Sequence, residues 1–257
     1  MKLTVTASNK NRLILDEPSS IWFLKSIQWQ TFTDFELVIA DGGSDNYEEL
    51  KEYFEQSEEN IPMRIVQYKI GDTFQRSLLN NVGVRNSNGD YVMTTDVDML
   101  FESTFMETLM GLVDEKHLIE SRTLYLKPTM CTKIYSGVVD PSVDWDSCKC
   151  GRVKKRTTAG GCQCMHKSGW DKVRGFDEQY MGWGSEDQDL LNRCRRAGLP
   201  AIWMGEKPDR SNIKLFHQHH AKIDLRKDLA DQAKNKKRLN NIKHYRVNPN
   251  GWGGIED

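Results

Sequence analysis

Two acidic pairs carry the chemical interest of this chain: Asp96-Val97-Asp98, and Glu186-Asp187 within Gly182-Trp183-Gly184-Ser185-Glu186-Asp187-Gln188-Asp189. In extended chain, carboxylates two residues apart point to the same side while Val97 turns back to the core, so Asp96 and Asp98 are expected to share one cation. Hard oxygen ligands at a strand end suit Mg2+ or Mn2+ holding a diphosphate. A solvated Asp-rich turn is the plain alternative, since Asp-x-Asp is a short pattern. The apolar, β-branched run that leads straight into the pair favours the site. In the second stretch, Ser185 and Gln188 have capping-box spacing and Gly198 supplies the stop, so a helix is expected between them. Counting three, four and seven from Asp187 reaches Leu190, Leu191 and Cys194, which puts this carboxylate on the face that buries the helix. Such an acid belongs at the edge of a cleft, where the helix dipole supports its charge and partial burial opposes it. First-turn acids that only complement the dipole are the bland alternative. Glu186 is expected about 100° round the helix from Asp187.

The elements that must position these acids follow from the hydrophobic pattern. Short apolar or β-branched runs at 3–6, 35–40, 63–68 and 90–95 read as strands, and 18–29, 47–56 and 75–85 read as the helices between them. Strands recurring about every thirty residues with helices between imply right-handed βαβ units, hence an α/β fold with a mostly parallel sheet covered on both faces. Ligands in such sheets bind beyond the carboxyl ends of the strands, and here those ends read Ser8-Asn9, Asp41-Gly42-Gly43 and Asp96-Val97-Asp98. At 257 residues with seven tryptophans, the chain can bury one sizeable core, and one domain with a tail is expected. Its net charge of -1 provides no global field for nucleic acid or membrane. No apolar run reaches transmembrane length and the start lacks a signal-peptide core, so a soluble, cytoplasmic protein is expected.

In order along the chain, Asp41-Gly42-Gly43-Ser44, Leu79-Asn80-Asn81-Val82-Gly83-Val84-Arg85, Asp96-Val97-Asp98, Gly175-Phe176-Asp177-Glu178 and Gly182-Trp183-Gly184-Ser185-Glu186-Asp187 resemble the motifs of the GT-A fold nucleotide-sugar glycosyltransferases. The likeness covers roughly residues 3 to 220. Its first half resembles the family-2 type and its second half the β-1,4-galactosyltransferase and chondroitin-polymerase type. The resemblance implies a Rossmann-like GT-A domain with a smaller acceptor side and a uridine diphosphate sugar as donor. It implies that Asp41 meets the uracil or ribose, that Asp96 and Asp98 serve the ribose and the metal, and that Asp187 is the base. Trp183 would floor the acceptor sugar and Glu186 would hold its other hydroxyls. His217 would complete a metal site for Mn2+ or Mg2+, with His219 and His220 close by in sequence. Ser8, Arg12 and Asn80 join the donor side, as do Gly160 and Gly161, where a side chain would collide with the sugar. An acid at 187, where related retaining enzymes carry Asn, implies inversion.

The remaining stretches are less specific. Residues 127–156 lack clean periodicity and read as a functional or disordered loop. Cys148, Cys150, Cys162 and Cys164 could supply thiolates to zinc, but their spacing is unusual and buried free thiols are the preferred reading. A catalytic domain over 1–221 and a basic helical tail over 222–257 are expected. Lys234, Lys236, Lys237 and Arg238 in that tail suit either a solvated helix face or an anionic acceptor. The resemblance implies an acceptor hydroxyl on a glycan, a lipid-linked sugar or a modified nucleobase, with nucleic acid less favoured. Two other functions compete with transfer: a non-catalytic sugar-nucleotide or glycan-binding module, and a nucleotidyltransferase. The first has no use for an inward acid at 187. The second would show a glycine-rich, basic first loop, whereas only Lys10 and Arg12 stand there.

Overall fold

The computed structural model describes residues 1–57, 61–153, 160–182, 184–205, 212–220 and 225–256. Its frame is a seven-stranded sheet built from β1 (Leu3–Asn9), β2 (Phe35–Asp41), β3 (Met63–Gln67), β4 (Tyr91–Asp96), β6 (Leu118–Ser121), β9 (Gln163–His166) and β10 (Ala201–Met204). The strand order is β10-β6-β9-β4-β1-β2-β3. β1 pairs in parallel with both β2 and β4, whereas β9 runs antiparallel to β4 and β6. The chain therefore winds outward from β1 to β3 and returns to the other side of β1 at β4. That reversal opens the crevice between β1 and β4 in which doubly wound sheets receive ligands.

Every residue of β1 and β2 is buried, as expected of parallel strands covered on both faces. Leu3, Val5 and Ala7 of β1 pack with Leu37 and Ile39 of β2 against α1 (Pro18–Gln28) and α2 (Tyr47–Gln56). The other face, carrying Thr4, Thr6 and Ser8, lies under α3 (Arg76–Arg85). Along β4 that covering layer continues as α6 (Lys167–Val173) and α7 (Glu186–Arg196), whose Trp170, Leu190 and Cys194 enclose Val92.

A second sheet in the order β5-β11-β7-β8 stands beside the first, built from β5 (Met99–Phe101), β7 (Leu124–Leu126), β8 (Gly151–Val153) and β11 (Leu215–His217). The stretch expected to be an irregular loop thus contains β8 and a helix, α5 (Pro128–Tyr135), whose Met130, Cys131 and Ile134 are buried. Its apolar spacing is too brief for periodicity to show, and Pro128 at the first helical position is the local signal that was present.

The tail docks onto the rest of the chain. In α8 (Leu225–Asn241), Asn235 donates to the Met181 carbonyl at 2.9 Å and Arg238 grips Asp177 at 2.5 and 2.7 Å. Beyond it, Trp252 lies in the core cluster of Trp170 and Phe176 and is only 3% exposed. Arg238 is thus spent on packing, while Lys234, Lys236 and Lys237 remain exposed. All six cysteines are free; Cys162 and Cys164 lie in one core cluster, Cys148 in another, and Cys150 is half-buried. Among the described residues no cysteine belongs to a group able to hold a metal.

Candidate functional site

The two helices that face the crevice begin side by side. The Gly182 amide donates to the Phe74 carbonyl at 3.1 Å, and Gln75 and Gly182 form an isolated parallel bridge, so the chain entering α7 is tied to the chain entering α3. A tight approach demands the glycine: it has φ +64°, and a Cβ there would sit 2.5 Å from Asp231 Oδ2. Ser185 occupies the N-cap with φ +79° but makes no side-chain cap, so the expected capping box does not form. At the other end, Gly198 at φ +79° gives Gly198 N–H to the Arg195 carbonyl and Leu199 N–H to that of Cys194, a Schellman stop.

Arg76, the first residue of α3, is the hub of the site and was not expected from sequence. Its side chain is 7% exposed; Nε donates to Asp96 at 2.8 Å, Nη1 to Asp187 at 2.7 Å and to Glu186 at 3.3 Å, and Nη2 to the Gly160 carbonyl at 3.0 Å. A cation at a helix N-terminus opposes the dipole, so its position is explained only by the acids around it. That mismatch was the readable signal.

Asp187 stands at the cleft edge, its side chain 20% exposed, as the helix face predicts. Glu186 departs from expectation. Instead of turning toward an acceptor it is 3% exposed and lies beneath Arg76, with Oε2 unpartnered among the described residues. Burial and the adjacent Asp187 push its carboxyl up to about 7 against the pull of Arg76. Burial, with Asp98 and Asp187 nearby, also raises Asp96 in spite of Arg76. Behind them Glu120 is fully buried; desolvation holds it well above the usual range although Gln163 donates to it at 2.9 Å.

Asp96 and Asp98 do not share one partner. β4 ends at Asp96, and Val97-Asp98 form a turn, so strand alternation stops one residue too early to align the two carboxylates. Asp96 goes to Arg76. Asp98 faces His220 Nε2 at 3.2 Å, Arg12 at 3.5 Å and His217 Nε2 at 3.7 Å. Burial opposes its charge, but His217, His220 and Arg12 together pull its carboxyl down to about 2.

The histidine strand is held from three sides. The Gln218 amide donates to the Asp98 carbonyl at 3.0 Å, Tyr125 stacks on His217 at 4.8 Å, and His217 Nδ1 bonds the Gln218 carbonyl at 2.7 Å, which leaves Nε2 turned to Asp98. From α5, Tyr135 hydroxyl donates to Gln218 at 3.1 Å and Cys131 Sγ accepts the His219 amide. The irregular 127–156 stretch therefore supports the histidines. His219 is exposed and outside the cluster, because β11 ends at His217 and the next inward imidazole is His220.

The donor-side residues divide. Ser8 lies in register with Asp96, and Arg12 meets Asp98. Asp41 is fully buried and committed to its own loop: Oδ1 accepts the Gly43 and Ser44 amides, and Oδ2 accepts Asn9 and Ser44 side chains. Asn80 is fully buried under the sheet with both polar atoms unpartnered among the described residues, while its neighbour Asn81 clasps Phe176 N–H and C=O. Gly160 has φ +132°, and a Cβ there would fall 2.4 Å from Asp187 Oδ2; at Gly161 it would meet Thr123 Oγ1 at 2.3 Å. Both glycines are thus required by the protein's own close packing. Trp183 lies outside the described residues.

Among the described residues one group, Asp98, His217 and His220, can offer ligand atoms to a metal, all within 4.8 Å of one another. The buried Asp98 Oδ1 without a hydrogen-bond partner fits that use.

Comparison with known proteins agrees with this geometry. Residues 21–129 match Glycosyl transferase family 2, and residues 142–220 match the family described as the N-terminal domain of galactosyltransferase. The fold resembles TarS of S. aureus solved with UDP-GlcNAc, with TM-score 0.58 and 14% identity over 87% of this chain and 60% of that one. It also resembles the mannosyltransferase PcManGT of Pyrobaculum calidifontis solved with GDP-Man and Mn2+, at TM-score 0.62 and 16% identity over 95% of this chain and 65% of that one. These likenesses show a GT-A fold, and two successive segments of the chain match glycosyltransferase families. Among curated relatives, the chondroitin synthase of Escherichia coli is 27% identical over 66% of this chain, and the β-1,4-galactosyltransferase 7 of Drosophila melanogaster is 24% identical over 66%. The matched segments span 29% and 48% of those two proteins.

Proposed function

We propose that this domain is a metal-dependent, inverting glycosyltransferase that moves a hexose or N-acetylhexosamine from a UDP-sugar to a glycan or other hydroxyl acceptor. The observation that carries the reading is the splitting of the Asp96-Val97-Asp98 acids between Arg76 with Asp187 on one side and His217 with His220 on the other. Asp98, His217 and His220 would hold the ion, and two imidazoles beside one carboxylate suit Mn2+ better than Mg2+, which prefers oxygen ligands alone. The ion, when bound, neutralises charge that gathers on the departing diphosphate.

The protein's own groups account for the rest. Asp187 accepts the proton of the acceptor hydroxyl as that oxygen bonds to the anomeric carbon and the bond to the diphosphate oxygen breaks; the electron pair leaves with UDP and the configuration inverts. Arg76 fixes Asp187 Oδ1, and Oδ2 lies against Gly160, where a hydrogen leaves room that a methyl would fill. Such orientation of a base contributes about a hundredfold to ten-thousandfold. Ser8, Arg12 and Asp96 line the crevice where the nucleotide would lie; Trp183 remains the proposed acceptor platform. The test is a panel of UDP-sugars, GDP-mannose among the controls, incubated with Mn2+, Mg2+ or chelator and read as free nucleotide. Release restricted to one UDP-sugar and dependent on Mn2+ supports the reading; release at full rate in chelator, or by an Asp98→Ala variant, refutes it.

A further inference from the structure

Along the outer face of α1 runs a cleft of about 510 Å³ that the catalytic crevice does not use. Its walls include Trp22, Trp29 and Tyr53, with Lys25, Gln28 and Asp140 among the polar groups between them. Trp22 and Trp29 lie 6.2 Å apart at 56°, and Lys25 Nζ sits 4.7 Å from the Trp22 ring centroid. Trp29 is fixed by its indole N–H, which donates to the Phe101 carbonyl at 2.9 Å. Tyr53 is 36% exposed. A concave surface of this size, with aromatic plates interleaved with a cation, an amide and a carboxylate, matches a ligand whose rings have apolar C–H faces and whose rims are hydroxyls.

Position adds a second argument. α1 begins at the site: Gln218, next to the candidate ligand His217, donates to the Ser19 carbonyl at 2.9 Å. Leu15, which also lines the cleft, follows shortly after Arg12, which pairs with Asp98. At about 1.5 Å per residue, the helix carries the cleft from Ile21 to Trp29 over roughly 12 Å away from that point. That span is about two or three sugar rings.

We propose that this cleft is a distal saccharide subsite that holds an oligosaccharide remote from the bond being made. The ligand class rests on the sugar-transfer reading, but the binding surface does not. Calorimetric titration of the full chain with chondroitin hexasaccharide, cellohexaose and chitohexaose tests it, alongside Trp22→Ala, Lys25→Ala and Asp98→Ala variants and a parallel assay of UDP-sugar hydrolysis. The expected result is saturable binding of at least one probe, weakened about tenfold by Trp22→Ala and severalfold by the exposed Lys25→Ala, and untouched by Asp98→Ala. Hydrolysis should be unchanged in Lys25→Ala. Binding that survives both cleft variants, or no saturable binding of any probe, overturns the subsite. Cleft-dependent binding in a chain that hydrolyses no nucleotide sugar would sustain the subsite while removing the proposed catalytic function.

Discussion

Replacing Arg76 by methionine should reveal how much of the site's order depends on one cation. The side chain is 7% exposed and makes hydrogen bonds of 2.7 to 3.3 Å to Asp96, Asp187 and Glu186. Methionine keeps much of the volume and removes the charge, leaving three acids with no counter-ion among them. Removing one partner of a buried ion pair costs about 3–5 kcal/mol, because the charge left behind stays desolvated. For a domain of this size about 1 kcal/mol shifts the melting midpoint by roughly 2–4 °C, so a fall of about 10 °C is expected at pH 7.5. The loss should also be pH-dependent. Glu186, already raised to about 7 with Arg76 present, would rise further without it, and its protonation on acidification removes part of the repulsion. Differential scanning fluorimetry from pH 5 to 8 should therefore show the gap to wild type narrowing toward pH 5. Arg76→Lys should recover only part of the loss, since an ammonium cannot present the planar fork that reaches several acids at once. A methionine variant within about 2 °C of wild type at pH 7.5, or a gap constant across the range, would refute the role given to Arg76.

Asp187→Asn should lower kcat for transfer by about 10²–10⁴ while nucleotide-sugar affinity changes little, and NMR of the wild-type product should show inverted anomeric configuration; retention or near-normal turnover would count against the base. Glu186, raised from 4.5 to about 7, keeps a proton in the folded chain that the unfolded chain has lost, so its contribution to stability is full below about pH 4.5 and declines as pH rises through 7. Glu186→Gln should flatten that decline in fluorimetry between pH 5 and 8, and an unchanged slope would contradict the assignment. Trp252→Ala should destabilise the chain by about 3–5 kcal/mol in urea unfolding, because the indole is buried in the core cluster that holds Trp170 and Phe176; a loss under 1 kcal/mol would mean that the tail merely rests on the domain.

Much of the frame was legible because buried parallel strands leave continuous apolar or β-branched runs. The strand expected over 35–40 is Phe35–Asp41, and the helix expected over 47–56 has those same ends. The crevice was legible for the same reason: polar residues cluster where those runs stop. What escaped was whatever depends on two distant elements meeting. Arg76 needs the start of α7 brought against the start of α3 before its three acids exist as a group. His220 needs β11 to end at His217, which no alternation in Lys214-Leu215-Phe216-His217 announces. The tail's charge pattern suggested solvent, because a basic run looks the same whether Arg238 points to water or to Asp177.

Asp41 and Asp187 illustrate how position and hydrogen bonding separate acids that look equivalent in sequence. Asp41 closes β2 at the expected edge, yet its four accepted bonds all come from the Asn9 and Gly43-Ser44 segments, so its carboxylate shapes the loop. Any nucleotide contact from that segment would have to come from the loop that Asp41 holds in place. Asp187 is fixed through one oxygen only, by Arg76, with the other turned to a glycine that leaves space beside it. A base must be held firmly enough to be aimed and left open enough to take a proton. Of the acids at this sheet edge, Asp98 faces two imidazoles and Glu186 is buried, whereas Asp96 and Asp187 each give one oxygen to Arg76 and stay partly exposed, and of these two only Asp187 stands on the helix that begins beside α3.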